Sequence, residues 1–254
     1  VLSKRIIACL DVRNGQVVKG INFEGLRSAG DPAELARRYN TEGIDELVIL
    51  DVTATIEARR ALADTIARVA RELFIPLAVG GGIRSEADAA AAVEAGADKV
   101  SLNTAALADP GLVTAVATRY GSQAVLVAID AKREADGPHR FGVYARSGST
   151  NAGRDAVEWA REAEDRGAGE ILLTSIDRDG TRAGFDCELT AAVSAAVSIP
   201  VIASGGAGGL DDFVDVFTAG RADAALAASI FHYAETSVRA LKQHLRGHGI
   251  PVRV

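Results

Sequence analysis

Short apolar runs alternate with helical patterns from one end of the chain to the other. The runs are Ile6–Leu10, Leu47–Leu50, Pro76–Val79, Val100–Leu102, Ala124–Ile129, Ile171–Leu173, Pro200–Ala203 and Ala224–Ala227. Most lack the alternating polar residue of a strand with one wet face, so they read as parallel strands covered on both sides. Helix starts are signalled by Asp31-Pro32 and Asp109-Pro110, a capping side chain followed by a proline, and by Ser85 with Asp88 at capping-box spacing. Gly43, Gly96, Gly167 and Gly220 follow helical patterns, where a left-handed residue ends a helix. Eight strands, each followed by a helix, predict a single (β/α)8 barrel domain over residues 1–254. The alternative, an open doubly wound sheet, needs a G-x-G-x-x-G turn after the first strand, and none is present there.

The two halves resemble each other. Ile75-Pro-Leu-Ala-Val-Gly-Gly-Gly82 matches Ile199-Pro-Val-Ile-Ala-Ser-Gly-Gly206, and Glu46-Leu-Val-Ile-Leu50 matches Glu170-Ile-Leu-Leu-Thr174. The segment from Gly96 to Thr104 matches that from Arg221 to Ser229, and Ile7–Asp11 matches Leu126–Asp130 less tightly. Duplication of a half-barrel is the simplest account.

Composition narrows the class of partner. A net charge of −6 argues against binding a nucleic-acid backbone, which takes clustered cations. It leaves small phosphorylated ligands open, because backbone N–H groups can hold them. Cys9 and Cys187 have no metal-like spacing and suit a reduced compartment. No apolar run approaches the ~20 residues of a membrane span. The expectation is a soluble, cytoplasmic protein.

In such a barrel the chemistry lies where strands end. Asp11 and Asp130 end the first and fifth strands, at matching places in the two halves, and can serve as general acid and general base. A single strand-ending aspartate could equally cap the next turn; recurrence in both halves favours function. Gly80–Gly82 and Ser204–Gly206, with Gly205 and Gly206 the second pair, let backbone amides approach an anion. Asn103-Thr104 and Ala228-Ser229 add N–H groups and a hydroxyl beside them. Two such grips imply an elongated bisphosphate. Ser101, Asp179 and Gly180 join the candidate binding set by position, and Asp51 and Asp177 also face the site by position. The segment Val12–Gly30, with Gly15, Lys19, Gly20 and Phe23, reads as a mobile lid whose lysine could reach a phosphate. Lys132–Gly153 reads as a second mobile loop with no assigned role. His139, His232, His244 and His248 show neither metal spacing nor a triad partner, so no metal is expected.

Charges also precede strands: Arg5, Glu46, Lys99 and Glu170. Arg5 shares strand parity with Asp11, and Lys99 with Ser101 and Asn103, so these two aim inward at the barrel floor. Two cations and two carboxylates could pair there as a ring, or be ordinary rim residues.

These residues resemble the cyclase-subunit family of imidazole glycerol phosphate synthase, in histidine biosynthesis. The likeness runs through Lys4–Val12, Asp45–Ala54, Val79–Ile83, Asp98–Thr104, Gln123–Lys132, Glu170–Thr181, Ala203–Ala207 and Ala227–Ser229, essentially the whole chain. The resemblance implies that ammonia attacks the ribulosyl ketone of a bisphosphorylated formimino-carboxamide ribonucleotide. Ring closure then gives imidazole glycerol phosphate and aminoimidazole carboxamide ribonucleotide, with no cofactor. Asp11 and Asp130 would be the acid/base pair. Gly82, Asn103 and Thr104 would form one phosphate site, and Gly206, Ala228 and Ser229 the other. Arg5, Glu46, Lys99 and Glu170 would gate ammonia from a glutaminase partner in a heterodimer, with Asp98 facing that partner. Two features depart from the family: Ala78 stands where Thr is expected, and Arg221 follows Gly220 where the first half has Gly96 directly before Ala-Asp. The rivals are the sibling aldose–ketose isomerase of the pathway and a non-catalytic phosphate-binding barrel.

Overall fold

The computed structural model describes residues 2–21, 24–52, 56–134, 140–146, 148–232 and 236–253. In chain order the first half runs β1 (Arg5–Arg13), β2 (Gln16–Ile21), β3 (Glu24–Gly30), α1 (Pro32–Glu42), β4 (Glu46–Asp51), α2 (Ile56–Ala70), β5 (Leu77–Gly80), α3 (Glu86–Glu94) and β6 (Lys99–Leu102). The second runs α4 (Thr104–Ala108), α5 (Gly111–Tyr120), β7 (Val125–Arg133), β8 (Phe141–Ala145), β9 (Thr150–Asp155), α6 (Ala156–Asp165), β10 (Glu170–Ser175), α7 (Cys187–Ser194), β11 (Val201–Ser204), α8 (Leu210–Thr218) and β12 (Ala224–Ala227). Helices α9 (Ser229–His232) and α10 (Val238–Gly247) complete the chain. Among the described residues, eight strands lie parallel to a neighbour and are each followed by a helix, which is the (β/α)8 class. All eight apolar runs fall on these strands. β5 and β12 are buried along their whole length, as strands covered on both sides require. No helix among the described residues is long and apolar enough to cross a membrane.

The chain divides into two compact units, Val1–Ser101 with Ala227–Val254, and Leu102–Leu226. In the first, β1 pairs with β4, β4 with β5 and β5 with β6, all parallel. In the second, β7, β10, β11 and β12 pair in the same order. The registers repeat as well. Asp11 lies beside Leu50 and Leu50 beside Gly80; Asp130 lies beside Thr174 and Thr174 beside Ser204. One residue of slip would turn every side chain to the opposite face, so a shared register is strong support for duplication.

Two segments read as mobile loops carry strands. In Val12–Gly30, β2 pairs antiparallel with β1, and β3 with β2. The turn between β1 and β2 is Asn14-Gly15, with φ 51° and 75°, flanked by the pair Arg13 and Gln16. Two successive left-handed residues make the tight turn whose twist suits a hairpin, and Asn-Gly is its strongest sequence signal. Residues 22 and 23, and so Phe23, lie outside the described residues. The second supposed loop is likewise built of strands. β7 runs on to Arg133, and β8 and β9 fold back on it, with Phe141 and Val143 buried. His139 lies outside the described residues.

The helix signals mostly held. Asp31 accepts from the N–H groups of Ala33 and Glu34, Asp109 from Gly111 N–H, and Ser85 Oγ from Asp88 N–H. Gly43, Gly96 and Gly167 have positive φ. Gly220 does not; the left-handed residue there is Arg221, at φ 57°. The extra residue shifts the turn by one place. A Cβ at Gly220 would lie 2.6 Å from Val216 O, so the glycine is kept by close backbone approach instead.

Candidate functional site

Each half carries the same feature in its first parallel strand. In β1 and in β7 a run of five buried residues breaks at a half-buried aspartate, Asp11 in one and Asp130 in the other. The apolar run fixes the strand and its depth, and the carboxylate follows at the end of that run, with Val12 and Ala131 buried beyond it.

In the first unit, Asp11 Oδ1 is 4.0 Å from Cys9 Sγ, and Cys9 is otherwise a buried core residue. Gly81 and Gly82 follow β5 with φ 83° and 73°. A Cβ at Gly81 would fall 2.1 Å from Asp51 O, so only glycine lets this loop lie against the end of β4. Ser101, buried on β6, fills the space that Gly80 leaves: a Cβ there would lie 2.8 Å from Ser101 Cβ. Ser101 is thus packed against strand β5. Lys19 lies on β2 in register with Arg27. Ala228 accepts from Phe231 N–H at 3.1 Å, and Ser229 opens the four-residue α9.

In the second unit, Asp130 Oδ2 accepts from Asn103 Nδ2 at 3.0 Å. Burial pushes the Asp130 carboxyl above its ordinary value; Asn103 offsets this and the nearby Asp179 adds to it. Thr104 Oγ1 accepts from Arg146 N–H at 3.1 Å, so the β8–β9 turn reaches the start of α4. That uses one acceptor site of the hydroxyl. Asp179 N–H donates to Ser175 O at 2.9 Å, and Gly180 follows at φ 74°. Gly205 and Gly206 follow β11 with φ 90° and 102°, and Gly206 O accepts from Gly184 N–H at 2.9 Å. Asp177 accepts from Arg133 N–H at 2.8 Å, a tie between β7 and the segment after β10.

The charges at strand starts come together in part. Glu46 is 1% exposed and receives Arg5 Nη1 at 2.7 Å and Lys99 Nζ at 2.9 and 3.0 Å. One carboxylate so deep needs such partners, because an unpaired charge there would ionise at great cost. Glu170 opens β10, in the other unit. Asp98 is exposed, yet its carboxylate accepts from Leu77 N–H at 2.8 Å, while Asp98 N–H donates to Leu77 O. Asp223 does the same to Val201, and Asp45 to Ile6. This repeated clamp ties the start of one strand to its neighbour.

Sequence reasoning passed over a buried pair. Lys242 Nζ on α10 donates to Asp45 Oδ1 at 2.8 Å and to Gly43 O at 2.6 Å. A lysine among the apolar positions of an amphipathic helix was the available signal. Ala78, fully buried on β5, lies beside Lys99 in the β5–β6 register; nothing in the structure explains the absence of a hydroxyl there.

Residues 5–237 match the family described as histidine biosynthesis protein. Two relatives are similar along their whole length: the imidazole glycerol phosphate synthase subunit HisF of Acidobacterium capsulatum and that of Solibacter usitatus. Each is 60% identical over 253 residues, covering 100% of this chain and 99% of the relative.

Proposed function

The chain belongs to the histidine biosynthesis protein family, and from that membership we infer its step: it is the cyclase of imidazole glycerol phosphate synthesis, an enzyme of the lyase class. The observation that carries this reading is 60% identity over the full chain to two synthase subunits. The reading takes residues 1–254 as one barrel domain and the cytoplasm as its location. Ammonia adds to the ribulosyl ketone of a bisphosphorylated formimino-carboxamide ribonucleotide, and the imidazole ring closes as the carboxamide ribonucleotide leaves.

Asp11 and Asp130 are the proton-transfer pair. Between them Asp11 and Asp130 give and take the protons of ring closure, and burial raises the Asp130 carboxyl above its ordinary value. Phosphate-binding roles fall to the left-handed Gly82, Ala228 and Ser229 in the first unit, and to the Asn103-Thr104 backbone, Gly205 and Gly206 in the second. Ser101 packs against Gly80 in the first unit, and Asp179 with Gly180 lies beside Gly205 in the second. Lys19 adds a cation on β2. Arg5, Glu46 and Lys99, which meet in the first unit, and Glu170 in the second take part in admitting ammonia from a glutaminase subunit, and Asp98 lies on the face that meets this partner.

The test is an absorbance assay for loss of the formimino ribonucleotide at high pH with ammonium salt. Ammonia-dependent loss with imidazole glycerol phosphate as product is the expected outcome. Isomerisation of the precursor ribonucleotide without ammonia would replace this reading with the isomerase.

A further inference from the structure

Asn103 stands where a helix-capping residue is expected, just before α4, but its side chain makes no cap hydrogen bond. Its backbone has φ −128° and ψ −102°, outside the ordinary helical and extended regions. That backbone setting turns the amide away from the helix and onto Asp130. The nitrogen of Asn103 faces Asp130 and donates to its Oδ2 at 3.0 Å. Asn103 Oδ1 is then directed away. It is buried and has no hydrogen-bond partner among the described residues. Buried acceptors are almost always satisfied, and an orphan beside a reactive group points to a ligand that supplies the missing donor.

We propose that Asn103 orients the substrate's reacting end and positions Asp130, and that its side chain is not a phosphate ligand. Nδ2–H fixes Asp130 through Oδ2 and so leaves Oδ1 of that carboxylate for proton transfer. Asn103 Oδ1 accepts an N–H or O–H of the reacting portion of the substrate. A phosphate dianion carries acceptors only and cannot satisfy this oxygen. The inference rests on the cyclase reading above, whose substrate carries amide and hydroxyl donors at that end. Besides the Asn103 amide, the groups about Asp130 are Asp179, Lys132 on β7 itself, and Tyr144, which lies opposite Asp130 on β8 and donates to Glu134. None of these is altered in the variants below.

The experiment uses ammonium salt as nitrogen source, and wild-type turnover is measured first. Absence of wild-type turnover would overturn the cyclase reading itself, apart from anything learned at Asn103. With wild-type turnover in hand, Asn103→Ala is expected to lower kcat on the order of 10²-fold, the lower range for a positioned acid or base. KM and inhibition by inorganic phosphate stay near wild-type values. The limb of the pH profile due to Asp130 moves to higher pH, because the lost hydrogen bond favoured the charged form. Asn103→Asp moves that limb further up, since a second carboxylate then faces the first. A raised KM or weakened phosphate inhibition, with kcat and the limb unmoved, would overturn the proposal in favour of a phosphate ligand. Should Asn103→Ala fail to fold by its urea midpoint, Asn103→Ser, too short to span the same contact, carries the same expectations.

Discussion

Replacing Lys242 with Met is expected to destabilise the fold by about 3 kcal/mol, although the change looks conservative on an amphipathic helix. The Lys242 side chain is 7% exposed and that of Asp45 4%. Removing one member of a buried ion pair costs roughly 3–5 kcal/mol, because the other charge is stranded. Two contacts reduce this: Ile6 N–H still donates to Asp45 Oδ2 at 2.8 Å, and Arg253 Nε lies 3.5 Å from Oδ1. Arg253 is largely exposed, so it recovers little. The carbonyl of Gly43 also loses its charged donor. With a urea dependence of about 3 kcal/mol/M, the midpoint followed by circular dichroism should fall by about 1 M. Pairing the change with Asp45→Asn removes the stranded charge while keeping an acceptor for Ile6 N–H. The double variant should therefore lose less than the sum of the singles, by about 1–3 kcal/mol. A shift under about 0.2 M, the range of an ordinary surface substitution, would refute the reasoning, as would strictly additive singles.

Asp130→Asn should lower turnover by about 10²–10⁴-fold and yet stabilise the protein at neutral pH. Burial raises the Asp130 pKa in the fold, so its contribution is fully present below the unfolded value and lost as pH rises through the folded one. The stabilisation by Asn should thus grow with pH across that window and vanish below it; a pH-independent difference in urea midpoint would contradict this. Lys99→Met or Arg5→Met should chiefly reduce glutamine-dependent turnover in the presence of the glutaminase subunit, leaving ammonia-dependent turnover closer to wild type. Equal losses in the two assays would make the Glu46 cluster purely structural. Asp31→Ala should cost about 1 kcal/mol, the value of a helix cap. Burial raises the Asp31 pKa, but Arg68 and the N–H groups of Glu34 and Ala33 together hold it below the ordinary value. The loss should therefore be present at neutral pH and fade as pH falls through the folded pKa; a loss that grows in acid would show the cap assignment to be wrong.

The apolar runs alone located every parallel strand, because a strand buried on both faces must be apolar at each position and few other elements are. The same logic located Asp11 and Asp130: a carboxylate that breaks such a run stands out against it, and the repeat marks it twice. The corrected hairpins were also legible in principle, through Asn14-Gly15 and through the alternation of Phe141 and Val143, but length and glycine content made them look like loops.

Other features depended on which distant segments met. Glu46 could be read as a rim charge until Arg5 and Lys99, 41 and 53 residues away, were seen to converge on it. Asp45 and Lys242 lie 197 residues apart, and neither carries a local sign of the other. The direction of the Asn103 amide follows from an unusual backbone conformation and from Asp130, 27 residues on. Local pattern reports which residues must leave water, since that free energy is nearly additive along the chain. The partner of a buried polar group is set by hydrogen-bond geometry between elements, and that exists only once the tertiary structure has brought them together.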